Sequence, residues 1–160
     1  NIPGKNDNFT VGVWFKIGAG GVSQMLVAKT SGTLEEWWFR IGADNKFDIM
    51  ILNTLGEGYF RIVSQGSTVN DGKWHYATAA WSYNTSLSLY LDGQLIGIDT
   101  TSSGSITTET ATKVTIGGNN VPPFEEGFNG TIDEVRIYNR ALSAEEILNH
   151  YSQSRRFFKI

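Results

Sequence analysis

Apolar residues recur at every second position through most of this chain. That is the period of a strand with one face on a core and the other on solvent. In FTVGVWFKI, residues 9–17, Phe9, Val11, Val13, Phe15 and Ile17 share one face, and Thr10, Gly12, Trp14 and Lys16 share the other. MLVAK, EWWFRIG, KFDIMIL and YFRIV follow, with Phe47, Ile49 and Ile51 alternating with Asp48, Met50 and Leu52. Asn70-Asp71-Gly72 is a tight-turn signal before KWHYATAAW. LSLYLDGQLIGI reads as a hairpin about Asp92-Gly93, with Leu87, Leu89 and Leu91 on one face. KVTIGG and TIDEVRIY add two more strands. The polar stretch 101–110 and NNVPPFEEG read as loops, since Pro122-Pro123 cannot sit inside a central strand.

The period changes once. Ser143 is placed to cap a helix, and Glu146 three residues on completes a capping box. Ile147, Leu148 and Tyr151 give that helix an apolar side over about three turns at most. Many short antiparallel strands and one late helix predict an all-β fold, a sandwich or jelly roll of two sheets. No linker or repeat divides the chain, so residues 1–152 form one domain and 153–160 a tail without clear period.

Composition narrows the function. The 160 residues suffice for one core, and the net charge is -3 with no basic block beyond Arg155-Arg156. Nucleic acid is therefore not an expected partner. There is no cysteine, which excludes a disulfide framework and thiolate chemistry. No apolar run approaches the roughly 20 residues of a membrane helix, so no membrane insertion is expected. The chain does not begin with Met and carries no signal peptide, and it reads as a piece of a longer protein.

Several residues stand out against the alternation. Trp37 and Trp38 are adjacent in a strand, so they point to opposite faces. Trp37 shares a face with Phe39 and Ile41, and Trp38 with Glu36 and Arg40, which makes Trp38 the outward ring. Sugars stack on exposed aromatic rings while polar side chains read their hydroxyls. Trp38, Arg40 and the turn-proximal Tyr83 are accordingly the candidate ligand-binding residues, against a reading in which the aromatics fill a two-sheet core. His75 and His150 lie in no motif and read as structural, and the sequons at Asn8, Asn84 and Asn129 are what chance gives in so Asn- and Thr-rich a chain. Asp133 falls on the same alternating face as Val135 and Ile137, which should be buried, with Arg136 on the other. A buried carboxylate must be paired, hydrogen-bonded or metal-bound. Two solutions are open: backbone N–H groups of the Asn129-Gly130 turn, or calcium with its roughly six to eight oxygens.

Taken together, FTVGVWFK, DGKWHYATAAWS, LSLYLDGQLIG and FNGTIDEVRIYNRALSAEEI resemble, in order and spacing, laminin-G-like domains of the concanavalin A-like lectin/glucanase superfamily, over roughly residues 2–151. The resemblance implies a jelly roll of two antiparallel sheets in an extracellular or cell-surface setting. It implies a noncatalytic binding or adhesion module of an exported multidomain protein, with a glycan the leading ligand or a cell-surface protein in its place. It also implies calcium at the acid opening the IDEV strand, Asp133, with Asn6, Asp7 and Asn8 as further oxygen donors. The alternatives are a structural or protein-interaction spacer without a sugar site and a degenerate glycosidase-type domain. Glucanases of this superfamily place their acids on one strand face, and this chain has no such strand: the pairs Glu35-Glu36, Glu125-Glu126 and Glu145-Glu146 are adjacent. Family members also begin with a further strand, whereas this chain opens at Asn1-Ile2-Pro3. Phe157, Phe158 and Ile160 of the tail are expected to pack where that strand would lie.

Overall fold

The computed structural model describes residues 7–31, 34–52, 59–64, 69–83, 85–101, 113–118 and 126–158. The predicted alternation becomes ten strands among those residues: β1 Phe9–Ile17, β2 Gln24–Ser31, β3 Leu34–Ile41, β4 Phe47–Leu52, β5 Tyr59–Val63, β6 His75–Ser82, β7 Ser86–Leu91, β8 Gln94–Asp99, β9 Lys113–Ile116 and β10 Gly130–Tyr138. They pair antiparallel into two five-stranded sheets, β10-β1-β6-β7-β8 and β5-β4-β3-β2-β9. The fold is the expected jelly-roll sandwich with one short C-terminal helix, α1 Ala144–Ser154. Asn6, Asn84, Ile160, the Pro122-Pro123 loop and most of the 101–110 stretch lie outside the described residues, as do the side chains of Glu35, Glu36 and Tyr59.

The core lies between the sheets. The predicted inner faces meet there: Phe9, Val11, Val13, Phe15 and Ile17 from β1 pack against Trp37, Phe39 and Ile41 from β3 and Phe47, Ile49 and Ile51 from β4. Aromatic contacts fix the geometry, Phe9 stacking on Trp37 at 5.7 Å and Phe15 meeting Phe47 edge-on at 5.3 Å. The turn signals also act as read. Asp92 and Gly93 both have positive φ, 51° and 79°, the twist a two-residue hairpin needs.

The outer face of the first sheet is not left to solvent. Trp14, expected on the polar side of β1, is fully buried, because α1 and the chain after it lie across that face. Its indole stacks on Phe158 at 4.3 Å and on Tyr151 at 5.7 Å, and its N–H donates to Ser154 Oγ at 2.9 Å. Farther along β1, Thr10 Oγ1 donates to the Arg140 carbonyl and accepts the Leu142 N–H, both at 2.9 Å, which fixes the approach to the helix. The helix starts where the sequence places it: Ser143 accepts the Glu146 N–H, and the Glu146 carboxylate accepts the Ser143 N–H. Arg140, followed by the backbone N–H of Ser143, holds the Glu146 carboxyl down at about 2. The tail thus packs on a sheet face rather than along an edge, and it buries only part of what was expected. Phe158 is buried, but Phe157 is 70% exposed.

Candidate binding site

The outer surface of β10 is shaped by one irregularity. Trp14 pairs with Asp133 and Gly12 with Arg136, so Val13 alone faces both Glu134 and Val135, a β-bulge. Glu134 takes the extra residue with φ 48°, a left-handed conformation seldom adopted by a non-glycine residue. The bulge resets the alternation. Ile132 on one side of it and Val135 and Ile137 on the other all pack inward, while Asp133 is exposed. This corrects the expected burial of Asp133. Its Oδ1 accepts the Glu134 N–H at 2.7 Å, steadying the bulge, and not the N–H groups of the Asn129-Gly130 turn.

Beyond the bulge, Glu134, Arg136 and Tyr138 point outward toward the helix. On α1, His150, Gln153 and Ser154 are spaced i, i+3 and i+4 and share one face. These two faces meet. The Arg136 guanidinium pairs with the Glu134 carboxylate, and its Nη1 lies 3.4 Å from His150 Nδ1. Tyr138 Oη lies 3.5 Å from the other ring nitrogen of His150. Burial and the adjacent Arg136 charge hold the His150 pKa below its ordinary value, so the ring is neutral at pH 7. Burial works against the Arg136 charge, but the Tyr138 hydroxyl and the Glu134 carboxylate outweigh it and keep the guanidinium ionised.

The short 3-10 turn Arg155–Phe157 closes the third side. The result is a cavity of about 140 Å³ lined by Glu134, Arg136, His150, Gln153, Ser154, Arg156 and Phe157. Arg156 lies 5.0 Å above the Phe157 ring and makes no ion pair among the described residues. The site therefore offers hydrogen-bond donors from Arg136, Gln153 and Arg156, an acceptor in Glu134, and an exposed aromatic ring at the rim. The sequence reading missed it. From the sequence, His150 reads as structural and Arg155-Arg156 only as charge. The helical spacing 150, 153 and 154 was legible, but its meeting with β10 was not.

The residues singled out from the sequence do not gather. Trp38 does face away from Trp37, yet it is only 8% exposed, packed with Met25, Ala28 and Met50 on the outer face of the second sheet. The Arg40 guanidinium lies 5.0 Å over its ring and is already engaged, by Asp48 at 3.0 Å and Glu126 at 2.8 Å. Trp38 therefore offers no free ring face, contrary to expectation. Tyr83 is elsewhere, its ring partly packed on the inter-sheet core and its N–H donating to Asn8 Oδ1 at 2.7 Å.

Of the set expected around calcium, Asn6 lies outside the described residues, and Asn8 and Asp133 stand apart. Asp133 pairs with Trp14, six residues along β1 from Asn8. At about 3.3 Å per residue the two are roughly 20 Å apart. Among the described residues no cluster of three or more His, Asp or Glu side chains could hold an ion.

His75 lies in no sequence motif, and the fold sets two acids against it. Its Nδ1 lies 2.8 Å from Asp92 and its Nε2 3.1 Å from Asp71. Asp71, four residues before it, was visible in the sequence; Asp92 reaches it through the β7–β8 turn. No helix among the described residues is long and apolar enough to cross a membrane.

Known structures share this architecture. The CBM40 of a Ruminococcus gnavus IT-sialidase, solved bound to α2,3 sialyllactose, superposes with a TM-score of 0.76 at 19% identity, covering 91% of this chain and 83% of that one. A SAP-like pentraxin from Limulus polyphemus gives 0.69 at 14% identity, over 92% and 71%. The binding domain of Paraclostridial Mosquitocidal Protein 1 gives 0.73 at 16% identity, over 92% of this chain but 37% of that one. At such identities the likeness shows the fold alone. No curated protein sequence matches the chain. The laminin-G family model does match, over residues 1–148, and with the two-sheet sandwich in place the chain belongs to that family of the concanavalin A-like lectin/glucanases superfamily.

Proposed function

We propose that the chain is a noncatalytic binding module of an exported multidomain protein, with a glycan as its ligand. The observation that carries this reading is the β10–α1 cavity. It combines guanidinium and amide donors, a carboxylate acceptor and an exposed aromatic ring, the combination that reads sugar hydroxyls while covering an apolar ring face. Glycan ligands of a neighbouring fold, the sialyllactose-bound CBM40, are consistent with it. The noncatalytic half rests on the acids. Glu134 is held by Arg136, and Glu126 by Arg40. Asp71 and Asp92 stand on either side of the His75 ring and are hydrogen-bonded to it. An extracellular or cell-surface setting goes with the reading.

A glycan array, with the intact chain and Phe157→Ala in parallel, tests it. Binding by the intact chain, weakened about fivefold or more by the substitution, is the expected result, since stacking on an aromatic ring is worth about a kcal/mol or more. Binding to no glycan, or hydrolysis of any, overturns it. The second reading, a protein-interaction domain, draws on Leu95, Ile98 and Leu148, which are each about half exposed beside the helix, at 51%, 55% and 47%.

A further inference from the structure

We infer that the β10–α1 cavity selects the end of an acidic glycan: one terminal sugar ring carrying a single carboxylate, gripped by Arg156 and Arg136. This rests on the glycan-binding reading and narrows it to a ligand class and a mode of binding.

Charge is the first argument. The chain as a whole is acidic, at -3, yet the cavity is not. Its two guanidinium groups face one carboxylate, and His150 is neutral beside them. Glu134 is committed to Arg136. Arg156 has no acid among the described residues and instead rests on Phe157. A guanidinium is a planar fork that binds carboxylate with two parallel hydrogen bonds. An unpaired one at a cavity mouth is an anion site waiting for its partner.

Glu134 sets the size of the charge. It stays in the cavity next to Arg136, and a doubly charged phosphate there would face it across a few ångströms. A single carboxylate leaves the cavity near neutrality: two cations against Glu134 and the ligand. The same Glu134 can accept from a sugar hydroxyl, and Gln153 can both donate and accept.

Volume is the second argument. An enclosed cavity of about 150 Å³ in another protein holds a benzene; this one, about 140 Å³ and open at its rim, takes in a carboxylate and the near edge of one sugar ring. Pockets for larger ligands run from about 300 Å³ upward. The site therefore admits the carboxylate-bearing edge of one unit and leaves the rest of that unit at the rim. It is closed on one side by the sheet, where Ser154 is held against Trp14, and on another by the 3-10 turn. An internal unit of a chain needs two exits, and a terminal unit needs one. Phe157 stands at the open rim, where the second sugar of the chain would leave.

Isothermal titration of the whole chain separates the possibilities, with three probes: 3′-sialyllactose (one terminal carboxylate), lactose (the same core without it), and heparin (a sulfated polymer). The expected result is binding of sialyllactose, at least tenfold weaker binding of lactose, and a loss of about tenfold or more for Arg156→Ala. Removing one charge-assisted hydrogen-bonding partner has an effect of that size. Arg156→Lys should recover only part of the loss, because it restores the charge and not the fork. Arg156 is exposed, so these variants should fold, and unchanged melting temperatures would establish it. Equal affinity for lactose and sialyllactose overturns the acidic selection but leaves the glycan reading standing. Salt-sensitive binding of heparin alone overturns the single-ring, chain-end mode. Binding of sialyllactose unaffected by Arg156→Ala moves the ligand away from this cavity. No binding of any of the three overturns the acidic selection and leaves the glycan reading to the array.

Discussion

At the scale of single residues, Asp133 and Trp38 each have a direction that sequence predicts and a setting that it does not. Asp133 lies outside the core because the bulge at Glu134 adds one residue to β10. Its carboxylate caps the Glu134 N–H, a bond worth about 1 kcal/mol. Asp133→Ala should lower stability by about that much. Melts in excess calcium and in chelator should coincide for the wild type and for the variant, and a calcium-dependent rise in the wild type alone would reinstate the ion. Trp38 faces outward from the sandwich, and is nevertheless packed among Met25, Ala28 and Met50. Trp38→Ala should therefore cost about 3–5 kcal/mol, the range for a buried aromatic, as should Trp37→Ala. Chemical denaturation of the pair is the check, and a cost below about 1 kcal/mol at Trp38 would mean that the ring is solvated after all.

Elements were legible where their signal is local. Strand faces follow from a period of two, and the helix start follows from Ser143 and Glu146, so the inner faces and the capping box could be read directly. The bulge could not, because glycine is the usual mark of its left-handed residue and this one is Glu134. Nor could the second burial of β1, because what covers Trp14 lies 140 residues away at Ser154. The candidate cavity was hidden for the same reason: its two walls, β10 and α1, meet only in the fold. The tail shows how this divides adjacent residues. Phe158 stacks on Trp14 at 4.3 Å and meets Trp74 at a tilt, at 4.9 Å, whereas Phe157 faces solvent. Phe158→Ala should cost about 3 kcal/mol or more, and Phe157→Ala should cost almost nothing in stability while weakening the ligand. Melting curves and titrations of the same two proteins would test that separation, and equal melting temperatures would show the tail is not anchored as described.

Across the whole molecule, the two histidines set the pH response in opposite senses. His75 lies where the Asp71 turn, the start of β6 and the β7–β8 turn converge, with Asp92 also accepting the Tyr76 N–H at 2.8 Å. Burial disfavours its charge, but the hydrogen bonds to Asp92 and Asp71 outweigh burial and hold its pKa above the ordinary value. A raised pKa means that the folded state holds the proton more tightly than the unfolded chain. That stabilisation is complete below about 6.5, the unfolded value, and is lost as pH rises through the folded value. His150 is depressed, by burial first and then by the Arg136 charge. For this residue the unfolded chain holds the proton more tightly, so its contribution is present above about 6.5 and is lost as pH falls toward the folded value. The two windows adjoin at about 6.5, so the wild-type melting temperature should be highest near that pH and fall on either side of it. Replacing one histidine should remove one limb of that profile and leave the other. His150→Gln should melt at progressively lower temperature as pH rises from about 6 to 8, and His75→Gln should melt at progressively lower temperature as pH falls from about 7 to 5. Thermal melts of the two variants across that range decide the matter. Parallel pH profiles for both would show that the Asp71–His75–Asp92 contact does not hold a proton in the folded protein.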